Sequence, residues 1–312
     1  MTVSINPLSE ADGEAAERVV RLAFGTMFGL PDPLAFRNGG ELVAARRWAY
    51  PEGAFKAEHD GEIVGVAIGS HWGSLGVFGP IAVHPQHWRG GVARKLLDAT
   101  MGAFDAWGHR AVGLYTFAER PVHVRLYQSY GFWSRSLTAI MARGVTAPSP
   151  VVEALSIASH KGERTSLIAQ CRSVTDAISS GLDLSREIEA LIAQNLGDAI
   201  LLTENSRVVG LALVHNGPGS EAERGVAYVK FGCVVPGPNA ARSFERLLAA
   251  CNDFAHRRGA ERLVAGVNMA CMNAYRLMIE WGFRAAMHGI AMHRPWIEVY
   301  DRPDVFALED WR

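Results

Sequence analysis

The sequence predicts an α/β protein built from two tandem copies of one unit. Three observations predict it. Sliding the chain by 151 positions superposes the middle of each half without a gap, so that Val83/Val234, Pro85/Pro236, Leu96/Leu247, Leu97/Leu248, Ala99/Ala250, Gly108/Gly259, Arg125/Arg276, Leu126/Leu277, Gly131/Gly282, Phe132/Phe283, Met141/Met292 and Arg143/Arg294 coincide. These are twelve identities over positions 83–143, where chance at ordinary amino-acid usage gives about four. Each half also alternates β-rich runs with helical periodicity in the same order. Finally, 312 residues, 49% of them hydrophobic, suit two cores at roughly 150 residues per domain.

In the first copy, residues 54–58 and 63–68 flank Asp60-Gly61, a dipeptide that closes tight hairpins. Residues 75–83 make the next strand. Over 92–107, apolar residues recur at Val92, Leu96, Ala99, Ala103 and Trp107, with Ala93, Leu97 and Phe104 on the adjoining ridge, the spacing of a helix. A strand at 111–116 follows, then a helix opened by Pro121 and ended by Gly131, and a returning strand at 132–143. Upstream, 14–22 reads as helix. The second copy repeats the order with strands at 199–203, 208–214 and 226–235, a helix at 240–257, a strand at 263–267, a helix at 273–281 and a strand at 283–293. Pro148-Ser149-Pro150 breaks the periodicity between them and is the expected linker, dividing the chain into domains 1–147 and 148–312.

Composition removes several functions. With 31 Lys+Arg against 32 Asp+Glu, a net charge of -1 and no block of like charge, no electrostatic argument favours a nucleic-acid or membrane-surface partner. The start, Met1-Thr2-Val3-Ser4-Ile5-Asn6, has no basic stretch followed by an apolar run, and no window approaches the roughly 18 apolar residues of a spanning helix, so a cytoplasmic protein is expected. Cys171, Cys233, Cys251 and Cys271 form no C-x-x-C pair, and Cys251 with His256 stands alone. Reduced, buried thiols and no metal site are expected.

The segment Val83-His84-Pro85-Gln86-His87-Trp88-Arg89-Gly90-Gly91-Val92-Ala93-Arg94 leads from a strand into an amphipathic helix. Two glycines there expose successive N–H groups, the helix start adds partial positive charge, and Arg89 and Arg94 add full charges, which suits a pyrophosphate. Taken alone, the glycine pair is equally a tight turn before a helix. Other nucleotide signatures are missing: there is no G-x-G-x-x-G opening a βαβ unit and no P-loop, while Gly73, Gly76 and Gly79 lie before or within a strand. Nor is there a G-x-S-x-G elbow or an H-E-x-x-H pair.

A strand ending V-x-P, a glycine turn, a helix with Leu96-Leu97, a short strand, and then Leu126-Tyr127-Gln128-Ser129-Tyr130-Gly131-Phe132 occur in that order. In this the chain resembles the GNAT N-acetyltransferases, over about 54–143 and, in degenerate form, 199–294. The resemblance implies two tandem GNAT-like domains, each a mixed, largely antiparallel central sheet flanked by helices, with the fourth and fifth strands splayed to admit the pantetheine arm of acetyl-CoA. It also implies transfer of the acetyl group to an amine of a small molecule or peptide by direct attack in a ternary complex.

Carried over by residue, the family's phosphate turn falls on Trp88, Arg89, Gly90, Gly91, Val92 and Ala93, with Arg94 beside it. Trp88 stands where the family has Arg or Gln, and Arg89 is the side chain expected at the phosphate instead. The backbone of Ile81, Ala82 and Val83 would pair with the pantetheine amides. Arg120 stands where the family commonly places an asparagine against the same arm. Tyr127 occupies the position of the tyrosine that faces the thioester sulfur, where a phenol can donate a proton to a departing thiolate. Without the resemblance, a tyrosine in that place reads equally as a packing residue. In the second copy, Asn239-Ala240-Ala241-Arg242-Ser243-Phe244 replaces the glycine turn, Phe244 stands for Ala93 and Met278 for Tyr127, so that copy is expected to keep the fold without the cofactor site.

For a general base, Glu58, His84, Glu119 and His123 are all candidates that spacing does not separate, and a water relay needs none of them. The aromatics of 24–36 fit an acceptor-pocket wall or plain loop packing equally. The expected activity is acetyl-CoA-dependent N-acetyl transfer, with acetyl-CoA as co-substrate and the second domain shaping or supporting the first; a homodimer is left open. Its rivals are a non-catalytic acyl-CoA sensor and a structural double domain that binds no CoA. The apolar tail Pro295-Trp296-Ile297-Glu298-Val299-Tyr300, with Phe306 and Trp311, is expected to pack across to the first domain.

Overall fold

The computed structural model describes residues 2–148 and 153–312; Ser149 and Pro150 of the expected linker lie outside the described residues. The first half runs β1 (Ser4–Pro7), α1 (Gly13–Met27), α2 (Val43–Ala49), β2 (Ala54–His59), β3 (Glu62–Trp72), β4 (Leu75–Val83), α3 (Val92–Trp107), β5 (Ala111–Thr116), α4 (Pro121–Gln128) and β6 (Trp133–Gly144). The second half runs β7 (Ala154–Ser156), α5 (Arg164–Ile178), α6 (Ser185–Ala193), β8 (Gly197–Glu204), β9 (Arg207–His215), β10 (Val226–Val234), α7 (Ala240–Arg257), β11 (Arg262–Asn268), α8 (Met272–Glu280), β12 (Arg284–Arg294) and β13 (Ala307–Glu309).

The 151-residue repeat holds at the level of backbone. The strands β4 and β10, and the helices α4 and α8, begin at equivalent positions. Gly131 and Gly282 take the left-handed conformation at φ 83° and 88° as their helices give way to strand, a position that a side chain strains. No strong pattern announced β1, α2, α5, α6 or β13, which are short or lie where the copies differ.

All strands described join one mixed sheet in the order β1-β2-β3-β4-β5-β12-β6-β11-β10-β9-β8-β7, with β13 pairing β10 off this path. Most neighbours are antiparallel; β4 with β5, and β10 with β11, are parallel. The order shows an exchange. Strand β12, the second half's equivalent of β6, lies beside β5 (Thr116↔Ile290), and β6, the last strand of the first half, lies beside β11 (Val267↔Ala139). Each half therefore completes the other half's run of strands, and one core continues across them, joining Trp72, Leu75 and Tyr115 to Phe231, Leu263 and Trp311. A second core lies under α3, and a third under α1.

Two forks open in this sheet. Pairing of β4 with β5 runs from Leu75↔Ala111 to Phe78↔Leu114 and then stops. In the repeat, pairing of β10 with β11 runs from Val226↔Arg262 to Val229↔Ala265 and stops at the equivalent place. Just past the first vertex, β4 carries a bulge that sets Gly79 and Pro80 against the single residue Ile68 of β3, which increases the local twist and turns the strand away from its neighbour.

Candidate active site

The first fork leaves an edge of β4 without a strand partner. His84 N–H donates to Val64 O at 2.8 Å, so Val83, opposite Gly65, turns its own N–H and C=O away from β3 and into the fork; Ile81, two residues earlier, shares that direction. Trp88 meets this edge. Its indole N–H donates to Val83 O at 2.7 Å, so the side chain that departs from the family pattern holds the end of β4 to the turn.

The turn itself is open to solvent. Arg89 at φ 65° and Gly91 at φ 79° are both left-handed, and Gly91, the residue before α3, has nothing within 4 Å of where a Cβ would stand. The N–H groups of Val92 and Ala93 begin the helix and lack carbonyls within it, as first-turn amides do. Among the described residues neither Arg89 nor Arg94 pairs with a carboxylate; Arg94 reaches Ser129 Oγ at 3.3 Å. Uncommitted amides, a helix start and two cations make an anion cradle.

Tyr127 sits on α4 with 6% of its surface exposed. Its ring packs edge-on to Phe78, 6.1 Å between centroids, and to Phe132 at 6.4 Å. Phe78 is the last β4 residue paired with β5, so Tyr127 stands at the vertex of the fork. Burial pushes its phenol well above the ordinary value, which keeps the hydroxyl protonated and able to donate. Arg120, just ahead of α4, spends its Nη2 on Met27 O at 2.5 Å and so ties α4 to the end of α1.

The structure separates the four base candidates. Glu58 on β2 accepts from Asn6 and Lys56 and is held below the usual carboxylate range by these partners. His84 accepts from Gln86 N–H at 3.3 Å beside the turn. Glu119 lies between β5 and α4 and His123 in the first turn of α4; burial, then Arg120, lowers the His123 pKa. The aromatics at the end of α1 and in the α1–α2 connection pack on one another: Phe36 stacks on Phe24 at 5.3 Å and on Phe28 at 5.8 Å, and Phe28 meets Phe117 past the end of β5, edge-on at 5.2 Å.

The second fork is filled by the chain's own tail. Strand β13 pairs with β10 at Phe231↔Glu309, Gly232↔Leu308 and Cys233↔Ala307, the equivalents of Pro80, Ile81 and Ala82. Val234 N–H donates to Phe306 O at 3.3 Å. Phe244, the residue that replaces Ala93, packs on Phe306 at 5.6 Å. Gly266 stands where the first copy has Tyr115, and a Cβ there would fall 1.9 Å from Glu309 O; only glycine admits the strand. Met278, in the place of Tyr127, is fully buried. From this fork the tail runs on to the first, where the Trp311 ring covers Gly113 of β5 and its main chain passes Gly79.

The four cysteines are free and buried. Among the described residues no group of three or more His, Cys, Asp or Glu side chains is placed to hold a metal ion, and no helix is long and apolar enough to cross a membrane. A polar recess of about 410 Å3, lined by Arg110, Ser180, Glu298 and Arg302 among others, lies at the opposite end of β5 from the fork and gathers no acid–base pair.

Comparison with known proteins agrees with this geometry. The sequence profile of the acetyltransferase (GNAT) family matches residues 28–132. No functionally curated protein matches the sequence. Among solved structures, a candidate acetyltransferase from Pyrococcus horikoshii superposes with a TM-score of 0.71 at 15% identity, covering 99% of this chain and 95% of that one. A GCN5-related N-acetyltransferase from Sphaerobacter thermophilus gives 0.58 at 16% identity, with 96% of both chains covered. One from Anabaena variabilis gives 0.53 at 12% identity, covering 94% of this chain and 72% of that one. The fold is thus shared along nearly the whole chain. Residues 28–132 match the GNAT acetyltransferase family, within a GNAT-like fold whose second fork is closed by the chain's own tail.

Proposed function

We propose that the protein is an N-acetyltransferase that moves an acetyl group from acetyl-CoA to a primary amine, by direct attack in a ternary complex, at the first fork alone. The observation that carries this reading is the contrast between two equivalent forks. One keeps a free strand edge, a glycine turn and a buried tyrosine at its vertex; the other has lost the glycines and the tyrosine and contains β13.

The residues present fit the co-substrate. Amides at Gly91–Ala93 with Arg89 and Arg94 would hold its pyrophosphate, and the outward N–H and C=O of Ile81 and the N–H of Val83, whose C=O is taken by Trp88, would pair with its pantetheine amides. Acetyl-CoA supplies a thioester carbonyl open to a neutral amine. Tyr127 holds a proton at its hydroxyl across the neutral range, because its surroundings disfavour the phenolate, and would act as the donor to a thiolate leaving group. Glu119 and His123, or water, would take the proton that the amine releases. The test is release of free thiol from acetyl-CoA with a panel of primary amines, alongside calorimetric binding of CoA. Binding with one site per chain and amine-dependent thiol release support the reading; absence of both ends it.

A further inference from the structure

The fork passes through the sheet, so its two faces offer separate approaches. Tyr127 and α3 share one face with Phe78, Val112 and Leu114. On the opposite face, reached from Gly79 and Tyr115, lies a cluster of charges taken from both halves. Arg46 of α2 donates to Gly79 O at 2.8 Å, and its other terminal nitrogen meets Glu221 at 2.5 Å. Lys230 bridges Glu221 at 2.7 Å and Glu187 at 2.9 Å. Arg312 is paired with Asp310 at 2.5 Å. Each of these cations therefore has its carboxylate.

Arg37 does not. It projects from the α1–α2 connection at a left-handed φ of 57°, and Nη2 donates only to the main-chain oxygen of Glu221. Its guanidinium stands 6.0 Å from the centre of the Tyr228 ring. Among the described residues no carboxylate comes within ion-pair distance of it, and its Nε is buried without a partner. Burial, followed by the Arg312 guanidinium, lowers its pKa, which means that the environment disfavours a charge arginine cannot give up. Arg37 is half-buried, and the Glu221 carboxylate that acts on it from farther off is already shared by Arg46 and Lys230; an anion brought by a ligand would complete its compensation. Phe28 and Phe36 of the same connection stack on each other, and Phe28 meets Phe117 past the end of β5.

We propose that the acceptor is an amine that also carries a carboxylate, received by Arg37 on the face of the sheet opposite Tyr127, with an apolar body against the stacked rings of Phe28 and Phe36. The proposal rests on the acetyl-transfer reading for its amine. A planar carboxylate matches the two-pronged guanidinium better than a neutral group of equal size.

The experiment compares matched pairs that differ only in the carboxylate: L-phenylalanine against phenethylamine, and L-leucine against isoamylamine. With the wild-type protein, kcat/KM should favour the amino acid of each pair by about tenfold or more, the scale of one charge-assisted hydrogen bond. Arg37→Gln should bring the ratio close to one by raising KM for the amino acid, with KM for acetyl-CoA unchanged; Arg37→Lys should recover part of it. Equal kcat/KM within pairs for the wild type overturns the proposal, even if Arg37→Gln fails to fold, and so does a variant that loses both members equally. If no amine is acetylated, calorimetric binding of each pair in the presence of CoA decides. Binding of the amino acid alone, lost in Arg37→Gln, keeps the proposal while ending the acetyl-transfer reading; no selective binding ends both.

Discussion

Thr138 of β6 faces Gly289 of β12, and the two are the same position of the repeat. The pairs on either side, Ala139↔His288 and Leu137↔Ile290, exchange places under the same shift of 151 residues. A local two-fold axis passes between Thr138 and Gly289, with a self-complementary contact of the kind that joins identical subunits, here formed within one chain. Tyr115 of the first copy crosses this axis: its ring lies where a side chain at Gly289 would be, 2.1 Å from the built Cβ.

The exchange predicts that residues 1–147 do not make a working enzyme. Without β12 the fragment exposes the edges of β5 and β6, and without the tail it loses Trp311 from the face of the fork. Unpaired apolar edges aggregate. Size-exclusion chromatography and kinetics check this: a soluble, monomeric fragment with the full kcat/KM of the whole chain would show instead that the halves are independent.

One CoA should bind per chain, in the first fork. Gly91→Asp should abolish binding, since a carboxylate at the turn repels the pyrophosphate and a side chain strains φ 79°. Two equivalent sites by calorimetry, or binding that survives this substitution, would contradict the assignment.

Tyr127→Phe should lower kcat by about 10²-fold or more while leaving acetyl-CoA affinity unchanged, if proton donation to the leaving thiolate limits the chemistry. The hydroxyl is the only atom removed, so the packing on Phe78 and Phe132 persists. An unchanged kcat in a regime where chemistry is rate-limiting removes Tyr127 from the mechanism.

Gly266→Ala should destabilise the protein by about 1–3 kcal/mol, the usual range for overpacking, because the new methyl group collides with Glu309 O. The equivalent change at an exposed glycine such as Gly61, on the hairpin turn, should lack that collision. Melting temperatures of the two variants, compared after the cost of positive φ at Gly61 is allowed for by a third variant, Gly61→Asn, test the tail's close approach.

Glu309 links stability to pH. Burial raises its carboxyl from the ordinary value to about 7, partly opposed by the neighbouring polar groups of Tyr300, Asn268 and Thr138, of which Thr138 Oγ1 donates to it at 3.3 Å. The fold therefore favours the protonated form. Its contribution is fully present below the ordinary carboxylate range and is lost as pH rises through about 7, on the order of 3 kcal/mol at most. Thermal melts from pH 5 to pH 8.5 should fall more steeply for the wild type than for Glu309→Gln, whose amide cannot ionise. Parallel slopes would mean that Glu309 does not titrate in this range.

Much of the first fork was legible in the sequence. The bounds of β4, α3 and β5 follow from strand and helix periods that local chemistry dictates, and the glycine turn and Tyr127 lie at motif positions on those elements. The exchange of β6 and β12 was not legible, because both strands carry the same apolar pattern whichever β5-like neighbour they join. The role of the tail was half visible: its aromatics announced that it packs, and the replacement of Tyr115 by Gly266 marks where. Arg37 and Arg46 gave no signal, since their shared partner Glu221 is more than 170 positions away and nothing local sets an arginine for burial apart from one for solvent.

The order of strands also has a consequence for synthesis. β5 is complete at Thr116, yet its neighbour β12 begins only at Arg284, so roughly 170 residues must be made in between, about 10–30 s at common elongation rates. During that interval the nascent first copy cannot close its sheet. A ribosome that stalls within residues 117–283 leaves β5 with an apolar edge open to other chains, and the emerging protein has a built-in demand for chaperone cover that neither copy would have on its own.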